Sequence, residues 1–184
     1  VSAGASELLL TAGAPGVGKS ALAQDLHEPI AVQGGYFVSG KFDQLSRSTP
    51  YAPVMQAFRQ LCNHICREAP ESFAAWKHRL SEALHPNGKI LVELIPELEL
   101  IIGPQPDVPP LGPTESHNRF TGVLLGFFST FAAAEHPLIL FLDDLQWADQ
   151  ASLALLQTLL AGGRARRLLV IGAYRDAEVD ALHT

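Results

Sequence analysis

Apolar residues fall along this chain in two rhythms, short unbroken runs and longer stripes at three- and four-residue spacing. The runs predict strands and the stripes predict helices. Leu8-Leu9-Leu10 marks a first, buried strand over 7–12, and a helix is expected over 19–27, with Pro29 just past its end. Gly34-Gly35 predicts a turn and 36–40 a second strand. Pro53 stands in the first turn of a helix whose stripe is Val54, Phe58, Leu61, Cys62 and Ile65. Another helix is expected over 70–84, with Phe73, Trp76, Leu80 and Leu84 apolar. Pro96 breaks or shortens the helical stretch 91–100. Pro104, Pro106, Pro109, Pro110 and Pro113 then predict a long ordered surface loop. Thr114 is expected to cap a helix carrying Phe120, Val123, Leu124, Phe127, Phe128 and Phe131. Residues 137–143 lack polar alternation and read as a strand buried on both faces. Asp149 or its neighbour caps a helix over 151–160, Gly162-Gly163 ends it, and 168–174 is the last strand. The order β-α-β, several helices, β-α-β predicts an α/β fold, a parallel sheet with helices on both faces.

Between the first strand and the first helix stands Gly13-Ala14-Pro15-Gly16-Val17-Gly18-Lys19-Ser20. It matches the phosphate-loop pattern GxxxxGK[ST] in full and in the strand–loop–helix setting that the pattern needs. Glycines there let backbone N–H groups close round a polyphosphate, and the helix aims its positive dipole end at the same anion. Lys19 can reach the β- and γ-phosphates, and the Ser20 hydroxyl can ligate Mg²⁺. The apolar strand 138–142 ends in Asp143-Asp144, the Walker B pattern. Asp143 is expected to hold Mg²⁺ opposite Ser20, and Asp144 to orient the attacking water. Arg175 follows the last strand, on the edge of an open parallel sheet where ligands bind. It is placed either to approach a γ-phosphate or to pair on the surface with Asp176 or Glu178. By the same edge argument Lys41, Asp43 and Gln44 could face the phosphates, though a solvated loop is the simpler expectation. Asp149 reads as a helix cap rather than an active-site acid.

Composition narrows the partners. A formal net charge of −6 excludes a large basic nucleic-acid footprint. The dense basic cluster Arg164, Arg166 and Arg167 suits a solvated turn. The longest uncharged run, 120–134, has 15 residues, fewer than the ~20 that span a bilayer. No secretory leader is expected from residues 1–6. Cys62 and Cys66 are expected as small apolar fillers in a reducing cytoplasm and not as half of a zinc site. The start at Val1 and the end at Thr184 predict a piece of a longer protein.

GAPGVGKS and LILFLDDLQWAD together resemble the additional-strand, catalytic-glutamate class of P-loop ATPases, and within it the signal-transducing (STAND-type) AAA ATPase domains. GGYFVSGKFDQLSRSTPYAP, ELIPELELIIGPQPDVPPLGPTESHNRF and LLVIGAYRDAEV are similar to the ATPase module of large bacterial sensor proteins. That module lies between an N-terminal protein kinase-like domain and C-terminal GAF and histidine kinase domains. The resemblance covers nearly the whole chain and implies one P-loop ATPase domain over 1–184, with 51–113 a helical, proline-rich insert. It implies a three-layer fold whose sheet order 5-1-4-3-2 is cut here to 1-4-3-2, leaving strand one as an open edge. It also implies ATP as ligand with Mg²⁺, slow hydrolysis that switches the neighbouring domains, and Arg175 as the sensor of the γ-phosphate. Asp144 stands where many such ATPases carry a glutamate, one methylene longer, which bears on turnover more than on binding. No arginine finger is assignable; it would come from a neighbouring subunit of a homo-oligomer or from another domain. Two other readings use the same motifs: a non-hydrolysing ATP-binding scaffold, and a small-molecule kinase, for which no arginine-bearing lid is found.

Overall fold

The computed structural model describes residues 6–44, 49–132, 136–162 and 165–178. Gly163, Arg164, Ala133, Ala134 and 181–184, which enter the expectations above, lie outside the described residues. Strands β1 (Glu7–Ala12), β2 (Tyr36–Lys41), β3 (Leu138–Asp143) and β4 (Leu168–Tyr174) form one parallel sheet in the order β1-β4-β3-β2. Helices α1 (Lys19–Gln24) and α2 (His27–Val32) connect β1 to β2. Helices α3 (Ala52–Ile65), α4 (Pro70–Leu84), α5 (Gly88–Val92), α6 (Glu99–Ile102) and α7 (Pro113–Phe131) lie between β2 and β3. Helix α8 (Gln150–Ala161) connects β3 to β4. This is the expected α/β fold with the expected strand order. The chain divides into two compact units, one from 1–57 with 132–184 and one from 58–131.

In the first unit the apolar strands form a sheet whose central strands are covered on both faces. Ala23 and Ile30 pack with Ile139, Phe141, Ile171 and Ala173 on one face, with Leu26, Phe37 and Leu169 at the margin. Leu138, Leu140, Leu142, Leu168 and Val170 alternate to the other face and are also buried. β3 and β4 are thus buried on both faces, as an unbroken apolar strand requires. β1 departs from expectation. Leu8, Leu9 and Leu10 are 50%, 52% and 54% exposed, so the run is not a buried strand. Among the described residues β1 pairs with β4 alone, and an edge strand lacks the second neighbour that would cover it.

The first helix is also shorter than expected. It ends at Gln24, and α2 starts at His27 with Pro29 in its first turn rather than beyond a helix end. The proline explains the break. A continuous helix would need a Pro29 N–H to reach the Asp25 carbonyl, and the ring would collide with that carbonyl instead. In the first turn of α2 the missing donor is harmless.

The second unit is a helical core built on aromatic rings. Phe58 packs on Phe128 and Phe127 with ring centres 4.4 Å and 5.3 Å apart, and Trp76 stacks on Phe131 at 5.1 Å. Phe127 meets Phe131 edge-on. Pro113, not Thr114, opens α7; a proline at the first helical position gives up a donor that would have no partner in the helix anyway. Pro96 starts a single 3-10 turn, Pro96–Leu98, between α5 and α6, which is the expected break. The Cys62 thiol is buried and free, and burial, with smaller contributions from Cys66 and Glu97, pushes its pKa up to about 12. That keeps it protonated and unreactive. Cys66 is free and half-buried just beyond α3.

Two glycines give opposite expectations. A Cβ on Gly40, in β2, would overlap the Pro53 carbonyl, so Gly40→Ala should lower stability by about 1–3 kcal/mol. Gly122 lies inside α7 with open space where a Cβ would stand, so Gly122→Ala should raise stability by up to about 1 kcal/mol. Urea unfolding midpoints of the two variants against the parent check both signs.

Candidate functional site

Because the four strands run in one direction, their carboxyl ends reach one edge of the sheet, and the chain's polar residues gather there. The loop between β1 and α1 turns at Gly16 (φ 80°) and Gly18 (φ 92°), left-handed conformations that side chains resist. Gly18 directly precedes α1, whose amino end has no side-chain cap. A cleft of about 280 Å³ opens at this edge, lined by residues 15–21 of the loop and helix start and by Lys41, Asp143, Asp144 and Arg175 from the ends of β2, β3 and β4. Its lining residues include no aromatic ring, so its surface suits anionic groups better than a base.

Each charged or hydroxyl side chain in the cleft has a polar partner in this structure. Lys19 folds back on its own loop, donating to the Gly13 and Ala14 carbonyls at 2.6 Å and 3.0 Å. The Ser20 hydroxyl donates to Asp143 Oδ2 at 2.8 Å, and the Asp144 backbone N–H donates to Asp143 Oδ1 at 2.9 Å. Asp144 is only 6% exposed and sits in the left-handed region at φ 54°. Its carboxylate meets Lys41 Nζ at 3.2 Å and Arg175 Nε at 3.1 Å, and accepts from Gln146 Nε2 at 3.1 Å. Gln146 also donates to Glu178 at 3.0 Å and accepts from the Arg175 backbone N–H at 3.2 Å. Arg175 closes the ring with a 2.8 Å bond to Glu178. Burial alone would push the Asp144 pKa up; the hydrogen bonds from Gln146 and Lys41 and the charges of Lys41 and Arg175 outweigh it and hold the carboxyl below its ordinary value.

Pro15, Gly16, Val17, Gly18, Lys19, Ser20, Asp143, Asp144 and Arg175 therefore come together at one cleft. Gly13 and Ala14 are not among its lining residues and contribute through their carbonyls to Lys19. Arg175 lines the cleft and makes the foreseen pair with Glu178. Lys41 belongs to the cleft rather than to a solvated loop, because β2 runs one residue further than expected and sets Lys41 in register with Asp143. Asp43 and Gln44 are not among the lining residues. Asp149 caps α8, accepting from the Ser152 N–H at 2.8 Å and the Ser152 hydroxyl at 2.6 Å. Gln146 was not foreseen, and nothing in the local pattern marks it. Its role depends on β4 lying beside β3. Among the described residues no three or more of His, Cys, Asp and Glu are gathered to hold a metal. No helix there is long and apolar enough to cross a membrane.

With loop, strand ends and cleft in place, comparison with known proteins gives the class. The chain belongs to the AAA ATPase domain family, whose profile matches residues 1–171. It is similar to hybrid signal transduction histidine kinase G of Dictyostelium discoideum, with 38% identity over 160 residues. The match takes in 87% of this chain and 5% of that protein, so the chain spans about one twentieth of its relative. No solved structure matches the chain.

The lowered Asp144 pKa sets a pH dependence. The unfolded chain protonates this carboxyl at a higher pH than the folded chain does, so its ion pairs stabilise the fold above the ordinary carboxylate range. That contribution is lost as pH falls through the lowered folded value. Asp144→Asn lacks it, so the difference in unfolding midpoint between parent and variant should shrink as the pH is taken from about 6 to about 2. A difference that stays constant over this range overturns the expectation.

Proposed function

We propose that the chain is an ATP-binding, slowly hydrolysing switch module of a signal-transduction protein, a STAND-type AAA ATPase domain. The observation that carries this reading is the contact between Ser20 and Asp143, which brings the phosphate-loop and Walker B residues to one small, charged cleft beside Lys19. The backbone of 14–19 and the Lys19 ammonium would hold the phosphates once Lys19 exchanges the Gly13 and Ala14 carbonyls for phosphate oxygens. Ser20 and Asp143 are two hard oxygen donors, and among the described residues no three or more of His, Cys, Asp and Glu are gathered to hold a metal. That fits Mg²⁺, which takes one or two protein oxygens and completes its shell with phosphate oxygens and water. Ser20 and Asp143 would hold the ion, whose positive charge would offset that of the phosphates. Asp144 would orient the attacking water, and Arg175 would report the γ-phosphate.

The proposal extends to the setting. Histidine kinase, GAF and kinase-like domains of the same longer chain are the partners on which such a switch would act. Support comes from the resemblance and from the name of the Dictyostelium relative. A cytoplasmic location, where MgATP is supplied, belongs to the same reading. Kinase activity would reside in those other domains. A second reading has its own observation: Asp144 is held by two cations and Gln146, which favours a scaffold that binds ATP without turning it over.

Equilibrium binding of fluorescent MgATP tests the first reading. Lys19→Ala should lower affinity about a hundredfold or more, the scale expected for truncating a charged, hydrogen-bonded partner. Equal binding by parent and variant would sink the assignment of the loop. Steady-state phosphate release separates the two readings: Asp144→Asn should reduce turnover at least about tenfold while MgATP binding stays within about threefold of the parent. A parent with no release above background supports the scaffold.

A further inference from the structure

We propose that Lys41 distinguishes a nucleoside triphosphate from a diphosphate: Asp144 holds its ammonium until a third phosphate takes the carboxylate's place. The inference rests on reading the cleft as a nucleotide site, and deepens it by assigning a recognition role to a residue outside both sequence motifs.

The cleft has two walls of different character. The loop wall carries backbone N–H groups and Lys19; the strand-end wall carries Lys41, Asp144 and Arg175. Ser20 and Asp143 join the two walls through their 2.8 Å contact. Two phosphates seated on the loop wall leave the strand-end wall untouched, and a third phosphate extends toward it.

On that wall Lys41 is the group free to change partner. Its side chain is 62% exposed, against 31% for Arg175 and 9% for Asp144. Arg175 is fixed by Asp144 and by Glu178, and the Asp144 carboxylate is fixed further by Gln146. Lys41 meets Asp144 through one oxygen, Oδ2, at the end of a flexible four-carbon stem. An ion pair this exposed contributes little net stability. A terminal phosphate, with about two negative charges at neutral pH and three acceptor oxygens, is the stronger partner for an ammonium. The backbone at Lys41 does not need to move, since β2 holds it in register with Asp143. When the ammonium turns to the phosphate, Oδ2 of Asp144 loses that contact and keeps the longer, 3.4 Å one from Arg175 Nη2. Arrival of the third phosphate and loss of the Lys41–Asp144 pair are then one event, and a diphosphate triggers neither.

Isothermal titration of the chain with Mg²⁺ and either ADP or a non-hydrolysable ATP analogue tests this. For Lys41→Ala the analogue should bind about tenfold or more weakly than to the parent, with ADP affinity within about twofold. Lys41→Arg should restore part of the difference. Lys41→Met keeps the aliphatic stem and serves in place of the alanine variant if circular dichroism shows that one unfolded. An equal loss for both ligands makes Lys41 a general phosphate or structural group, and no change for either leaves it a partner of Asp144 alone; each overturns the proposal. A folded parent that binds neither ligand overturns the nucleotide reading together with this one.

Discussion

The common direction of the four strands is the constraint on which the cleft depends. Parallel pairing sends every carboxyl end to the same edge, and the order β1-β4-β3-β2 sets the end of β4 between those of β1 and β3. Residues far apart in the chain then need no special folding of their own to meet. Lys41, Asp143 and Arg175 each close or follow a strand, and the loop after β1 supplies Lys19 and Ser20. An antiparallel neighbour would have carried one of these groups to the opposite edge. Hydrophobic burial fixes the direction: β3 and β4 are covered on both faces, and parallel strands joined through helices achieve that cover.

Charge balance organises what gathers at that edge. Lys19, Lys41 and Arg175 face two carboxylates, and every cation has oxygen within reach: Lys19 from two carbonyls, the others from Asp144. The protein's own oxygens thus occupy the cations that an anionic ligand would use. Binding at such a site is an exchange of partners, and its strength depends on the difference between old and new contacts. The carbonyls and the exposed Lys41 pair are the weaker contacts; the Arg175–Asp144–Glu178 cluster is the more tightly bound.

Much of this was legible in the residues. β1, α4 and β4 have the spans that apolar runs and flanking turn residues predict, and Asp149 caps α8 as its position suggests. The loop glycines and the paired acids could be read because backbone geometry and charge demand those residue types at those places. The failures have physical causes. An apolar run reports that a strand is favoured but not how many neighbours it has, so Leu8-Leu9-Leu10 read as buried and stands half exposed. Pro29 acts on the carbonyl four residues back, and that reach split one expected helix into two. Lys41 and Gln146 gain their roles from pairing between strands distant in sequence, which local pattern does not encode.

The backbone at Asp144 gives a reason why the shorter acid stands there. Its φ of 54° and ψ of 45° lie in a region that aspartate and asparagine enter more readily than longer side chains. The turn out of β3 therefore selects among side chains before any chemistry does. A glutamate at this position would gain a methylene of reach but meet a conformation disfavoured by about 1 kcal/mol or more. It would also enter a carboxylate nest shaped for a stem one carbon shorter. Side-chain length and fit to the turn thus pull in opposite directions at a single residue, and in this chain the turn prevails.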